Sequence, residues 1–327
     1  MISNLRSLLE TPVAKKCTIA VAQAADADMM LVASGASRWA DFLFVGDAKS
    51  IEASAGEVGL SSVPGEIVHC ADEGRMAQKA VALVREGCAD MPMKGLLATS
   101  TFLKAVLDKE KGLRKSDLLS EISVIDRVPE DEPEAGEPDK NGPEKNGPDS
   151  AEISLDSPAS GLQFITDCAM SVAPDLPAKV KILKNALSLA GSLGCVRPKV
   201  AVVAAVETIN PDMPETLDAS ALTLMSQRGQ LGSCIVDGPL ALDNALSERS
   251  ARHKGIESPV AGHADILLMS DIRMGNVLHK SITYIAKKRV AVAVVGASAP
   301  ILMSSRSDHP EDKILAVALA CRALRGQ

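Results

Sequence analysis

Short apolar runs rich in Val and Ile alternate along the chain with longer stretches in which apolar residues recur at helical spacing. This alternation is typical of β-α-β units, whose helices cover a largely parallel sheet. The pattern therefore predicts an α/β protein. Strands are predicted at residues 18–21, 42–45, 66–69, 89–91, 199–204, 234–236, 265–268 and 290–295. Helices are predicted at residues 72–85, 99–107, 178–193, 214–228, 274–286 and 310–324.

Residues 128–157 interrupt this pattern with five prolines, a repeated NGP and almost no apolar side chain. Such a segment cannot bury enough surface to offset the entropy of ordering, so it is predicted to be an exposed, largely disordered insertion. A surface connection tolerates an insertion of this kind, and a role in binding a partner is the alternative interpretation. The insertion holds ten Asp or Glu against two Lys, so it accounts for the formal charge of −7 and leaves the remainder at about +1.

The near-neutral remainder argues against duplex nucleic acid as a partner, and 2% aromatic residues leave little to stack single strands. The longest apolar run, residues 290–303, is shorter than the roughly 20 residues of a membrane-spanning helix. The N-terminus lacks the basic start, apolar stretch and cleavage site of a secretory signal. We therefore expect a cytoplasmic protein that binds neither nucleic acid nor a membrane. Its seven widely spaced cysteines are expected to be reduced.

Common cofactor motifs are missing from the sequence. It contains no GxxxxGK[ST] phosphate loop, no GxGxxG opening a helix after a strand, and no HExxH. The five histidines have no pairing four residues apart that would suit a metal on a helix. The sequence therefore supports neither an ATP or NAD site nor a catalytic metal.

Four polar clusters follow or adjoin predicted strands, at the edge where open α/β sheets bind ligands. They are MPMKG at 91–95, IVDGPLALDNA at 235–245, RMGNVLHKS at 273–281 and SSRSD at 304–308. Each alone is consistent with an exposed lysine, a tight turn or a solvated helix face. Together they indicate a site for an anionic ligand.

Positive charge comes from three of the clusters, through Lys94, Lys280 and Arg306. Arg306 is the strongest candidate because a guanidinium offers a planar fork to phosphate oxygens. Glycines in the clusters would let backbone N–H groups approach a ligand closely. A helix beginning at Gly275 and Asn276 would add a dipole that favours a phosphate or carboxylate.

The clusters lie in longer segments whose order along the chain resembles the phosphate acetyl/butyryltransferase family, and its butyryl-transferring members most. These segments include MKGLLATSTFLKAVL at 93–107, GLR at 112–114, ITDCAMSVAPDL at 165–176, MSQRGQLGSCIVDGPLALDNALS at 225–247 and VGASAPILMSSRSD at 295–308. The resemblance implies reversible acyl transfer between coenzyme A and inorganic phosphate, with no metal or redox cofactor. It also implies a homodimer or a larger homo-oligomer.

The implied fold is a two-domain α/β architecture similar to isocitrate/isopropylmalate dehydrogenases, with mostly parallel sheets and an active-site cleft between the domains. On this basis residues 1–127 plus 298–327 are expected to form the first domain. Residues 158–297 are expected to form the second, with the acidic insertion at 128–157 between them.

By resemblance we assign Arg306 to phosphate and Ser305 to the transition state. The base that takes the thiol proton is Asp308 or Asp312, and both stay open. Asp312 also fits the role of a first-turn carboxylate that complements a helix dipole. Further substrate-binding residues implied by the resemblance are Lys94, Gly95, Arg114, Asp237, Gly238, Pro239, Gly275, Asn276 and Lys280.

One departure from the family pattern stands out. Where the family usually has Ser-His after the GLR segment, this chain has Ser120 and Glu121. This departure and the insertion prompt a catalytically silent coenzyme A-binding scaffold as one alternative to a butyryltransferase. A phosphate acetyltransferase is the other alternative, which the resemblance itself leaves open. A dehydrogenase or decarboxylase of the same fold would need a metal-binding aspartate cluster, which the sequence does not show.

Overall fold

The computed structural model of the chain describes residues 2–116, 118–127, 161–305 and 308–325. The predicted insertion lies outside these residues. The strands are β1 Cys17–Ala22, β2 Ala40–Gly46, β3 Glu66–His69, β4 Met91–Lys94, β5 Ser120–Asp126, β6 Leu162–Thr166, β7 Lys199–Val203, β8 Ile235–Leu240, β9 Ile266–Leu268 and β10 Ala291–Val295. Every predicted strand overlaps one of them.

The helices cover both sheets. They are α1 Leu5–Glu10, α2 Ala27–Ala36, α3 Ala48–Glu57, α4 Glu73–Arg85, α5 Thr99–Val106, α6 Leu176–Ser192, α7 Pro214–Gln227, α8 Leu242–Leu246, α9 Glu248–His253, α10 Ile272–Lys280 and α11 Pro310–Arg325. A π-helical turn, Ser281–Ile285, continues α10. The predicted α/β class is confirmed.

Aspartates begin many of these helices because an N-cap carboxylate accepts a backbone N–H that has no partner within the helix. Such caps precede α2, α3, α4, α6 and α10, at Asp26, Asp47, Asp72, Asp175 and Asp271. Proline occupies the first turn of α6, where its missing N–H is not needed. Local sequence therefore sets where these helices start.

The strands form two sheets. The four-stranded sheet has the order β3-β2-β1-β4 and is parallel throughout. The six-stranded sheet has the order β10-β5-β6-β9-β7-β8, and β5 is antiparallel to both of its neighbours. The other pairs in this sheet are parallel. The expectation of mostly parallel sheets is thereby confirmed.

Two residues near the end of the chain connect the sheets. Leu302 pairs in parallel with Met93 of β4, and Ile301 pairs antiparallel with Val294 of β10. The Lys94 N–H donates to the Leu302 carbonyl at 2.9 Å, and the Ile301 N–H donates to the Val294 carbonyl at 2.8 Å. The segment leading into SSRSD is therefore held from both sides.

The core runs across the same junction. One continuous cluster of buried side chains contains Phe42 of the four-stranded sheet, Phe164 of the six-stranded sheet, and Leu319 of α11. α11 packs against β10 of the six-stranded sheet and against α2, a helix that itself contacts β2 of the four-stranded sheet. All seven cysteines lie among the described residues and none forms a disulfide bond. In the part of the chain that the structure covers, every helix is too short or too polar to cross a bilayer.

The division of the chain into two domains stays a prediction. One observation bears on its boundary: β5, which lies in the first predicted domain, makes its strand pairings with β6 and β10 in the six-stranded sheet. The remaining strands of that sheet come from the second predicted domain.

Candidate active site

Ser305 and Asp308 follow residues 301–302, which pair with both sheets and are called the connecting segment below. Ser305 is exposed, and its backbone N–H donates to Oδ2 of Asp308 at 2.7 Å. The Asp308 N–H in turn donates to the Ser305 carbonyl at 3.2 Å, which closes a tight turn. Arg306, the predicted phosphate ligand, lies outside the described residues. The structure therefore describes Ser305 before it and Asp308 two positions after it.

Asp312 lies in the first turn of α11, as its helix-dipole interpretation requires. Its Oδ1 is 3.5 Å from the Arg289 guanidinium, close enough for an ion pair. Burial raises the pKa of Asp312 from its usual value, although Arg289 opposes the shift. Asp312 is therefore a largely buried carboxylate with an exposed cation beside it.

Lys94 ends β4 next to the connecting segment and is 6% exposed. Its Nζ donates to the Gly95 carbonyl at 3.1 Å. The Gly95 N–H donates to the Ala22 carbonyl, and a Cβ at this position would lie 2.2 Å from the Gln23 carbonyl oxygen. Gly95 is thus required by close backbone packing, and its N–H is engaged inside the protein rather than aimed at a ligand.

The expected helix start at Gly275 and Asn276 is wrong. α10 begins at Ile272, and its N-cap Asp271 accepts from the Met274 N–H at 3.0 Å. The Gly275 N–H already donates to the Asp271 carbonyl within the helix. A dipole site at Gly275 and Asn276 is therefore absent, and an aspartate carboxylate occupies the true N-terminus.

Gly275 has a packing role instead. A Cβ there would lie 2.3 Å from the Asp167 carbonyl oxygen, so only glycine lets α10 approach the end of β6 this closely. Asn276 is exposed, and Lys280, at the end of α10, is half-buried. The Lys280 ammonium lies 5.6 Å from the Tyr284 ring centroid.

The other predicted binding residues are held by different elements. Asp237, Gly238 and Pro239 are inside β8 rather than after it, and the Gly238 carbonyl accepts from the Thr223 hydroxyl at 3.2 Å. β8 is four strands from β5 in the sheet, which separates them by roughly 19 Å at the usual strand spacing. Arg114 is exposed and pairs with Ala297 through an isolated bridge. Substrate binding by these residues stays a prediction.

Glu121 belongs to the site although the sequence marked it only as a departure. Burial raises its pKa to about 7, and the charges of Asp167 and Asp308 add to the shift while Lys280 opposes it. Glu121 is directly opposite Val294 in the strand ladder, and Val294 pairs with Ile301. The sequence signal was a carboxylate among the otherwise uncharged residues 120–125 of SEISVID.

Asp167 anchors the loop after β6. Its Oδ1 accepts the N–H groups of Glu121, Ala169 and Met170, each at 3.1 Å, and Oδ2 accepts the Ser171 N–H at 2.9 Å. The side chain is buried, at 3% exposure. Four backbone donors compensate the cost of burying this carboxylate and tie the loop to β5.

His279, which sequence reasoning did not select, lies behind Asp308. Its Nδ1 is 2.9 Å from the Ser123 hydroxyl oxygen. The imidazole and both aspartates line a cavity of about 20 Å³. The polar residues that line it are His279, Thr283, Ser304, Asp308 and Asp312. Over the ranges that the structure describes, no group of three or more His, Cys, Asp or Glu could hold a metal ion.

Sequence comparison places these residues in a family context. A family model described as phosphate acetyl/butaryl transferase matches residues 4–321. A curated phosphate butyryltransferase of Clostridium acetobutylicum is 41% identical over 308 residues, which cover 94% of this chain and 92% of the relative.

Solved structures agree with the sequence match. The crystal structure of a branched-chain phosphotransacylase from Enterococcus faecalis V583 matches with a TM-score of 0.75 and 29% identity, covering 94% of this chain and 99% of that one. A 4-hydroxythreonine-4-phosphate dehydrogenase from Klebsiella pneumoniae matches with a TM-score of 0.53 and 11% identity, covering 95% of this chain and all 100% of that one. This second likeness concerns the fold alone and confirms the expected dehydrogenase-like architecture.

Proposed function

The chain belongs to the phosphate acetyl/butaryl transferase family, and we propose that it transfers a butyryl group reversibly between coenzyme A and inorganic phosphate. The observation that carries this proposal is the turn that joins Ser305 to Asp308 at the end of the connecting segment, beside the buried Lys94. It places a hydroxyl, a carboxylate and a cation at one strand end. The similarity to the phosphate butyryltransferase of Clostridium acetobutylicum supports the choice of butyryl.

In the direction of thioester synthesis, the coenzyme A thiol attacks the carbonyl carbon of the acyl phosphate. The thiol proton passes to a carboxylate, the new C–S bond forms, and the C–O bond to phosphate breaks. In the other direction a phosphate oxygen attacks the thioester carbonyl, the C–S bond breaks, and the protonated carboxyl returns its proton to sulfur. A thiol with a pKa of about 8.5 gains from such a base at neutral pH.

The roles proposed for the side chains follow from this chemistry. Asp308 takes the thiol proton, and the Ser305 hydroxyl donates to the oxyanion that forms on the carbonyl oxygen. Arg306 binds the phosphate through its planar fork. Lys94 and Lys280 add positive charge near the phosphate. Asp312 is the second candidate for the base, and burial raises its pKa. Asp308 is preferred because its carboxylate is joined to the backbone of Ser305, the proposed oxyanion donor.

The test is a steady-state comparison of acetyl-, propionyl- and butyryl-coenzyme A with phosphate, following thiol release. We expect kcat/KM to be highest for butyryl-coenzyme A. A maximum at acetyl-coenzyme A would instead support a phosphate acetyltransferase, the other activity in the family description. No turnover of any thioester, with binding retained, would support a silent coenzyme A-binding scaffold.

A variant pair makes the comparison specific to the site. Arg306→Ala should lower kcat/KM by about 100-fold or more, because it removes a charged ligand of the reacting phosphate. Arg252→Ala is the matched control, since Arg252 lies on α9 and pairs with Glu248 on the surface. An Arg306→Ala enzyme as active as the Arg252→Ala control would contradict the assigned role.

Three further expectations belong to the same proposal. The enzyme acts without a metal or redox cofactor, because acyl transfer involves no change of oxidation state and arginine and lysine supply the charge. It works in the cytoplasm, where coenzyme A thioesters are metabolised. It forms a homodimer or larger homo-oligomer. Retention of activity after dialysis against a chelator tests the first expectation, and sedimentation equilibrium tests the last.

A further inference from the structure

Ser123, His279 and Cys168 form a buried polar row behind the candidate active site. His279 is 7% exposed, and Ser123 and Cys168 are fully buried. The Ser123 hydroxyl oxygen lies 2.9 Å from Nδ1 of His279 and 3.6 Å from the Cys168 sulfur. Polar side chains cost free energy in such a place unless they are hydrogen-bonded, so each donor here has a defined partner.

The protonation of the row follows from its chemistry. Burial raises the pKa of the Cys168 thiol to about 12, so the sulfur keeps its proton and donates it to the Ile165 carbonyl at 3.4 Å. Burial, followed by the charge of Lys280, lowers the pKa of His279, so the imidazole is neutral near pH 7. A neutral imidazole has one N–H and one acceptor nitrogen.

The Ser123 hydroxyl has a single proton to give. The imidazole nitrogen is a stronger acceptor than a thiol sulfur, and it is also the nearer of the two. Donation from Ser123 to Nδ1 would leave the proton of the His279 ring on Nε2.

The imidazole and the two aspartates line one cavity. Ser123 occupies the Nδ1 side of the ring, which leaves Nε2 as the ring nitrogen available to that cavity. A space of about 20 Å³ has room for a water molecule, which would bridge the imidazole and the aspartates. The charge of Asp308 acts on His279, which is consistent with this proximity.

We propose that His279 is a positioning residue, which donates its Nε2–H toward the Asp308 carboxylate and holds it in the orientation that receives the thiol proton. Ser123 supports this role by selecting the Nε2–H tautomer. The inference rests on the function proposed above, in which Asp308 is the base. The charged groups that surround the ring are Lys280 on α10, Glu121 on β5, and Asp308 and Asp312 across the cavity.

Two amide substitutions separate positioning from packing. His279→Gln places an amide nitrogen near the position of Nε2, whereas His279→Asn reaches only the position of Nδ1. We expect His279→Asn to lower kcat for butyryl-coenzyme A by about 10- to 100-fold, with KM changed by less than about twofold. His279→Gln should stay within about threefold of wild type, because it restores the donor toward Asp308. The acidic limb of the kcat profile should move to higher pH in the Asn variant only.

Several results would overturn the proposal. Equal kcat losses in the Asn and Gln variants would indicate a packing role, as would a loss confined to KM. Wild-type protein without turnover of any thioester would refute the proposed function and the positioning role together. An active wild type with equal Asn and Gln effects would refute the positioning role alone.

Nitrogen-15 NMR of histidine-labelled protein gives a readout that does not depend on activity. We expect the unprotonated nitrogen of His279 to be Nδ1 in the wild type, and Ser123→Ala to weaken that preference. A proton on Nδ1 in the wild type would overturn the tautomer assignment and the positioning role that depends on it.

Discussion

The backbone N–H of Ser305 and the Oδ2 atom of Asp308 are joined by a 2.7 Å hydrogen bond across the turn from residue 305 to residue 308. The turn follows residues 301–302, which are fixed by pairing to both sheets. Asp308 therefore has a set orientation relative to the Ser305 backbone before any substrate binds. Such pre-organisation is what a general base needs, because the acceptor oxygen then requires no rearrangement during the reaction.

Two aspartate variants identify the base. Asp308→Asn should lower kcat by about 100-fold or more, the usual contribution of general-base catalysis. Asp312→Asn should lower it by less than about tenfold, because the proposed base is Asp308, which is joined to the Ser305 backbone. Both are measured at saturating butyryl-coenzyme A and phosphate, with thermal unfolding as the check on folding. The reverse order of losses would make Asp312 the base.

Glu121 makes stability depend on pH in a way that one variant can isolate. Its pKa in the folded protein is raised from 4.5 to about 7, chiefly by burial. A carboxyl whose pKa rises on folding favours the folded state at low pH, and this contribution is lost as the pH rises from about 4.5 through 7. The loss amounts to no more than about 3 kcal/mol in the free energy of unfolding.

Glu121→Gln cannot ionise, so this contribution should be missing from the variant. The free energy of unfolding of the variant minus that of the wild type should therefore be larger at pH 8 than at pH 5, which means that the variant gains relative stability as the pH rises. Urea denaturation of both proteins at the two pH values measures the difference. The same pH dependence in both proteins would show that Glu121 is not the responsible group.

Local signals allowed much of the fold to be predicted. The apolar runs of β1, β2, β7 and β10 stand out from their surroundings, and Asp72 marks the start of α4. β5 and β6 were missed because they flank the acidic insertion, and their pairing across it is a tertiary contact. The start of α10 was placed too late because the capping signal is Asp271, upstream of the glycine.

The residues of the candidate site also differ in whether local sequence could predict them. Lys94, Ser305 and Asp308 could be predicted because each lies where an apolar strand gives way to polar residues. Glu121, Asp167 and His279 could not be placed together, since they come from β5, the end of β6 and α10. The antiparallel pairing of β5 with β6 brings Glu121 beside Asp167, and the hydrogen bond between His279 and Ser123 places the imidazole against β5.

Gly275 provides a test of how α10 packs against the end of β6. Gly275→Ala would place a Cβ 2.3 Å from the Asp167 carbonyl oxygen, so the helix or the loop must shift. We expect a loss of about 2–3 kcal/mol in the free energy of unfolding. The kcat should also fall, because α10 carries His279 and Lys280.

The control for this substitution is another helical glycine, Gly191 in α6. A Cβ there would meet nothing within 4 Å. Gly191→Ala should therefore stabilise the protein by about 0.5–1 kcal/mol, since alanine loses less backbone entropy in a helix. Denaturation of both variants checks the pair, and a harmless Gly275→Ala would mean that α10 is not held against Asp167.

Asp167 offers the last test, because both of its carboxylate oxygens accept backbone N–H groups. Asn keeps one acceptor oxygen but replaces the other with an NH₂ group, which can only donate. That group would face either the N–H of Ser171 or the three backbone N–H groups that Oδ1 now accepts, so two donors would meet in a buried place. Asp167→Asn should therefore destabilise the protein by about 2 kcal/mol. Asp175→Asn is the matched control, since Asp175 is an exposed N-cap and Asn caps equally well. Urea denaturation compares the two, and similar stabilities would show that the charge and geometry of the Asp167 carboxylate do not hold the loop to β5.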